Sequence, residues 1–208
     1  MNIVMDPADP LFHATEPAND PSPGWRRKAW MFALELIQVF AVSLAIILPV
    51  RYFLIQPFYV KGASMEPNFF DREYLIIDEI SYRFNEPHRG DIVVFRYPRD
   101  PSQFFIKRVI GLPGETVEIN NGVVKVYNAE HPNGESLKES YLDQEYTSGG
   151  PTVTLKAGDY YLLGDNRQAS LDSRMFGPVS RQAIVGKVWI RGYPVYRWKV
   201  FEGTNYNL

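Results

Sequence analysis

Residues 103–115, QFFIKRVIGLPGE, set two adjacent cations, Lys107 and Arg108, inside a run that otherwise has the composition of a buried strand. Long charged side chains are almost never buried unless they are paired or given a chemical task. Side chains alternate along a strand, so Phe105, Lys107 and Val109 share one face while Phe104, Ile106, Arg108 and Ile110 share the other. The two cations therefore need separate partners on opposite faces of one sheet. Flanked on its own face by Phe105 and Val109, the Lys107 amine is desolvated, which disfavours the ammonium and lowers its pKa.

The sequence around this run reads as more of the same sheet. From Gln56 onward, short β-branched and aromatic runs are broken by turn signals: PFYV, EYLIID, DIVVFRY, FFIKRVIGL, TVEI, VVKVY, TVTL, DYYLLGD and GKVWIRGY. Asn121-Gly122, between TVEI and VVKVY, is a two-residue hairpin signal because both residues tolerate positive φ. The expected fold is mostly β and antiparallel, over residues 54–208. The polar stretch 128–151, with Gly134, Gly149 and Gly150, reads as an exposed loop or hairpin insertion.

Upstream the pattern changes. Residues 1–28 are rich in Pro and Asp, end in Arg26, Arg27 and Lys28, and read as a disordered tail. Residues 29–53 follow as a helix whose apolar stretch, from about Trp30 to Val50, is roughly 30 Å long at 1.5 Å per residue, enough to cross a bilayer. Glu35 and Gln38 interrupt it near one end, where their cost falls. A buried or interfacial helix is the alternative; a cleaved signal peptide is disfavoured by the length of the run and the absence of a small-x-small site after it. Three cations before the span against Arg51 after it put the tail on the cytoplasmic side and residues 54–208 across the membrane.

The 208 residues carry a net charge of -2, which gives no reason to expect nucleic acid as a partner, and no cysteine, which removes disulfides, a thiol nucleophile and thiolate metal ligands. No HExxH, P-loop, GxGxxG or GxSxG motif is present. His13 falls in the tail, and His88 and His131 fall in turn-like segments, so a Ser-His-Asp triad has no base. What remains is Lys107. A lysine lowered from about 10.4 to roughly 7 or 8 takes a proton from a serine hydroxyl. Ser64, in YVKGASMEPNFF, is the best-placed serine, between Gly62 and the stiffening Pro67. The stretch YYLLGDNRQASLDSRMFGPV then supplies Asp165, Ser170, Asp172 and Arg174 after an apolar strand. It offers Arg108 a carboxylate and the lysine a hydroxyl.

At these segments the sequence resembles the type I signal peptidases, membrane-anchored Ser/Lys endopeptidases. SMEP at 64–67, RGDIVVF at 89–95, IKRVIGLPGE at 106–115 and GDNRQASLDSRMFGPV at 164–179 are similar to that family's boxes, in the same order. The resemblance implies Ser64 as nucleophile, Lys107 as general base, Ser170 as the group orienting the lysine, and ion pairs Arg108–Asp165 and Asp172–Arg174. It also implies a partly barrel-like β domain on the outer membrane face that cuts signal peptides from preproteins after Ala-x-Ala sites. The peptide is expected to bind as an added strand to a monomer, with no cofactor and no metal. The plasma membrane is the expected location and a thylakoid membrane the alternative. Many relatives have a serine where this chain has Gly62, which leaves the Ser64 N–H as the expected oxyanion donor, with room at Gly62 for a further group. Phe58, Met65, Phe69 and Phe70 are the apolar residues placed to line substrate pockets.

Two other readings stand beside this one. A self-cleaving Ser/Lys repressor shares the dyad but needs a DNA-binding segment, where this chain has an apolar span. A membrane-tethered β domain that binds partners without catalysis makes Ser64 and Lys107 structural.

Overall fold

The computed structural model describes residues 24–49, 56–144, 146–202 and 206, and they divide into a helical unit and a β unit. The helix α1 spans Gly24–Pro49. It begins before residue 29, so Arg26, Arg27 and Lys28 form its first turn instead of ending a tail. Residues 1–23 of the expected tail and 50–53 of the expected span lie outside the described residues. The candidate span within it, Gly24–Leu48, contains an 18-residue stretch of mean hydropathy 2.3, so α1 is long and apolar enough to cross a membrane.

The β unit is antiparallel in every ladder. Its strands are β1 (Gln56–Tyr59), β2 (Tyr74–Asp78), β3 (Ile92–Tyr97), β4 (Asp100–Gly111), β5 (Thr116–Asn120), β6 (Val123–Tyr127), β7 (Glu135–Ser136), β8 (Val153–Thr154), β9 (Asp159–Leu163), β10 (Val179–Ser180), β11 (Ile184–Tyr193) and β12 (Lys199–Val200). Eight form one sheet in the order β1-β2-β11-β3-β4-β9-β10, with β12 on β11; four form a second, β7-β6-β5-β8. Both sheets are open, so the barrel-like character stops short of closure. Short helices α2 (Ser81–Phe84) and α3 (Ser173–Phe176) sit in connections.

Alternation along each strand sends apolar residues into three buried clusters. Met65, Phe69, Leu75, Ile77, Val94 and Val188 gather in one, Val93, Phe95, Val109 and Leu162 in another, and Ile110, Val117, Val126 and Leu163 in a third between the sheets. The Asn121-Gly122 turn has φ of 50° and 84° at its two residues and joins β5 to β6 as their chemistry requires.

The segment 128–151, expected to be an exposed loop or hairpin insertion, is partly buried. Its β7 pairs with β6, Leu137 enters the core, and Glu139 is buried against Arg167. A polar composition conceals this because the partner of Glu139 is a cation 28 residues downstream, which no local pattern reveals.

Candidate active site

Ser64 lies in the connection from β1 to β2, where Glu66 N–H donates to Ala63 O (3.2 Å) and Phe69 N–H to Met65 O (2.8 Å). At Gly62 the chain turns with φ of +88°, a left-handed value that favours glycine, and the Gly62 N–H donates to Asp71 Oδ1 at 2.8 Å. That donor is therefore committed to the loop. Among the described residues nothing accepts from the Ser64 N–H.

A second loop pins the first. Asn166 N–H donates to Ser64 O at 3.0 Å and its side-chain amide to Ala63 O at 3.1 Å. The approach depends on Gly164, where a Cβ would fall 2.1 Å from Ser170 Oγ and 2.5 Å from Ser64 O. Asp172 caps α3, accepts from Gly164 N–H at 3.2 Å, and is paired with Arg174 through Nε (2.8 Å) and Nη2 (2.7 Å). The Asp172–Arg174 pair is therefore present and ties this loop to the end of β9.

Lys107, in β4 opposite Val93, reaches Ser64: Nζ lies 2.7 Å from Oγ and donates to Ile106 O at 2.8 Å. The residue is 3% exposed, with the Phe105 ring 5.6 Å from its amine. Burial lowers its pKa to about 8, against the opposing pull of the Asp172 and Asp165 carboxylates. On the other face Arg108 gives Nε to Asp165 Oδ1 (2.8 Å) and Nη2 to Oδ2 (2.7 Å), and the Tyr141 ring lies 3.8 Å from the guanidinium. Burial by itself would lower the Arg108 pKa; the hydrogen bonds and charge of Asp165 outweigh it and hold the guanidinium firmly charged.

Two expectations need correction. The hydrogen bond expected from Ser170 to the lysine is not made: among the described residues its buried Oγ has no hydrogen-bond partner. The hydrogen-bond contacts of the lysine amine are instead to Ser64 Oγ and to its own neighbour's carbonyl. Nor do Met65 and Phe69 line the groove beside Ser64; both are fully buried in the core cluster, because the turn at 64–69 points them inward while Ser64 faces out. Phe58 does line a groove, of ≈390 Å³, together with Val60, Leu75, Val94, Phe104 and Ile106, and Ser64 and Lys107 stand in its wall. Phe70 lies outside it, at the edge of a separate polar cleft.

Sequence reasoning missed Asn68, which donates to both Asp165 Oδ2 (2.8 Å) and Tyr141 O (2.9 Å), and the Arg167–Glu139 pair with Thr147 on the same guanidinium. Asn68 and Arg167 lie within or beside the quoted boxes; Glu139, Tyr141 and Thr147 carry no local signal.

A serine hydroxyl held against a desolvated amine on an antiparallel β scaffold is the equipment of a Ser/Lys hydrolase. The family model described as signal peptidase, peptidase S26, matches residues 33–193. Probable signal peptidase I-1 of Synechocystis sp. is 37% identical over 176 residues, 81% of this chain and 87% of that protein. Signal peptidase IB of Staphylococcus aureus is 33% identical over 178 residues, 80% and 92% respectively. A crystal structure of a signal peptidase I from Enterococcus faecalis V583 is 37% identical and covers 50% of this chain and 97% of that one, with a TM-score of 0.42. The chain belongs to the signal peptidase family, peptidase S26.

Proposed function

We propose that this chain is a membrane-anchored serine endopeptidase that removes signal peptides from preproteins, with Ser64 as nucleophile and Lys107 as general base. The observation that carries this reading is the 2.7 Å contact between Ser64 Oγ and an amine whose pKa burial has brought to about 8. A neutral amine accepts the hydroxyl proton as Oγ attacks the scissile carbonyl. The resulting ammonium then returns that proton to the leaving amine, and a water deacylates the serine by the same route. The Ser64 N–H is the oxyanion donor. Asp165 with Arg108 and Asp172 with Arg174 are scaffold, holding the 164–174 loop against the sheet.

The groove supports an extended peptide. Among the described ladders β1 pairs only with β2, and residues 104–107 of β4 pair only with β3. Two unpaired strand edges thus border an apolar groove that ends at Ser64, and a peptide added there gains main-chain hydrogen bonds while Phe58, Val94 and Ile106 restrict it to small side chains. An Ala-x-Ala site meets that description. The helix anchors the protein with Arg26, Arg27 and Lys28 on the cytoplasmic side, the β unit acting on the outer face as a monomer.

The test is cleavage of a preprotein bearing an Ala-x-Ala site by the detergent-solubilised full chain. Wild type cuts after the second alanine; Ser64→Ala, folded by circular dichroism, does not. Cleavage surviving in that variant would overturn the assignment, and absence of cleavage by a folded wild type would favour the non-catalytic binding domain.

A further inference from the structure

The segment that follows the family-matched stretch packs onto the connection that carries Ser64. It extends from residue 194; Arg197 and Phe201 reach residues 67–70, while β12 pairs with β11 and Tyr206 meets Tyr141. Phe201, partly buried against the core, stacks on the Phe69 ring with centroids 4.7 Å apart and planes at 27°. The Arg191 guanidinium lies 5.7 Å from Phe69 and 5.5 Å from Phe201, and its Nη1 donates to Asn68 O at 2.8 Å. Arg191 is itself held by Arg197 O (2.7 Å) and by Glu73 (3.1 Å). Arg197 sits 4.2 Å from the Phe70 ring and pairs with Glu73 at 2.8 Å. Phe201 N–H donates to Trp189 O at 2.8 Å, which fixes the ring's approach to β11.

Phe69 is the hinge of this arrangement because its N–H is bound to Met65 O, the residue after the nucleophile. One side of the Ser64 turn is pinned by Asn166; on the opposite side Asn68 is tied to Asp165, Tyr141 O and Arg191, and the next residue, Phe69, is held by its ring, seated between the core and Phe201. We infer that Phe201 is a positioning residue: through Phe69 it sets where Ser64 Oγ stands relative to Lys107. This rests on the Ser/Lys reading above and extends it to a part of the chain beyond the matched region. Phe201 lines no part of the substrate groove, so its effect falls on the chemical step and not on peptide binding.

Preprotein cleavage by the full detergent-solubilised chain, with kcat and KM measured separately, tests this in Phe201→Ala, Phe201→Leu and Phe201→Tyr, each with its melting temperature. A misplacement near 1 Å costs about 10²-fold in rate, so Phe201→Ala is expected to lose kcat by roughly 10- to 100-fold with KM within about twofold. Phe201→Tyr keeps the flat ring and is expected to retain kcat, whereas Phe201→Leu fills the volume, recovers the melting temperature, and leaves kcat low. Rates within twofold of wild type in folded Phe201→Ala would overturn the inference. So would a loss that appears in KM, or one that Phe201→Leu repairs together with stability, since either makes the residue packing only. Ser64→Ala in the same assay separates the two claims: an active Ser64→Ala protein sinks the dyad, while an inactive one beside a fully active Phe201→Ala protein sinks only the role of Phe201.

Discussion

Arg108 and Lys107 sit side by side in β4, each 3% exposed, and face different partners. Arg108 meets both oxygens of a carboxylate and an aromatic face; Lys107 meets a hydroxyl and a backbone carbonyl. Among the described residues Lys107 has no ion pair, and the carboxylates of Asp165 and Asp172 act on it only at a distance. Equal burial thus yields opposite outcomes. A buried cation with a bidentate partner stays charged and holds elements together, while one with none gives up its proton readily. One face of the strand is a fastener and the other is a base.

Exchanging these roles is the severest test of the contrast. Lys107→Arg keeps the charge but places a group that does not deprotonate next to Ser64. Cleavage of a preprotein is expected to fall by about 10⁴-fold or more. On the other face, Asp165→Asn removes the charge that compensates Arg108 and Asn68's acceptor. Breaking a buried pair from one side costs about 3–5 kcal/mol, and chemical denaturation should report a loss of that order together with loss of activity.

The lysine face predicts the reverse sign for stability. Its folded pKa is about 8 and its ordinary value 10.5. Between those values the unfolded chain holds a proton that the folded chain does not, so stability rises with pH across that window. Below pH 8 both states are protonated and the full penalty is present, on the order of 3 kcal/mol from a shift of this size. Lys107→Met should therefore be inactive yet more stable than wild type at pH 7, with the difference disappearing above about pH 10.5 in denaturation midpoints. A variant less stable than wild type at pH 7 would show that the amine's hydrogen bonds outweigh its desolvation.

The smallest effect is expected at Gly62, whose φ of +88° any other residue adopts under strain, although a Cβ there meets nothing within 4 Å. Gly62→Ser should lose about 1 kcal/mol of stability by thermal denaturation. It leaves both β4 faces intact, so the pH at which activity rises should not move.

Much of this was legible in the sequence because strands write their own periodicity. DIVVFRY and FFIKRVIGL fall on β3 and β4, and alternation alone separates Lys107 from Arg108. The two-residue strands β7, β10 and β12 escaped, since two residues carry no period and each is defined only by its pairing with the preceding strand. In the site, Ser64 lies against Lys107, Arg108 meets Asp165, and Asp172 meets Arg174. Ser170 makes no bond to the lysine among the described residues, and Met65 and Phe69 point into the core, because a turn's side-chain directions are set by its hydrogen bonds and by the core it covers, not by its composition. Glu139 and Tyr141 were hidden in a polar stretch for a related reason: they are polar residues, one buried and one partly buried, held by partners 26 to 33 residues away.

The pH dependence of kcat/KM for an Ala-x-Ala preprotein tests the central claim most directly. If a desolvated Lys107 is the base for Ser64, the rate rises with pH through about 8 to a plateau, as the free amine becomes available. A rate that is flat from pH 6 to 10 on that substrate would contradict the account, because no step would then depend on the proton that Lys107 must lose.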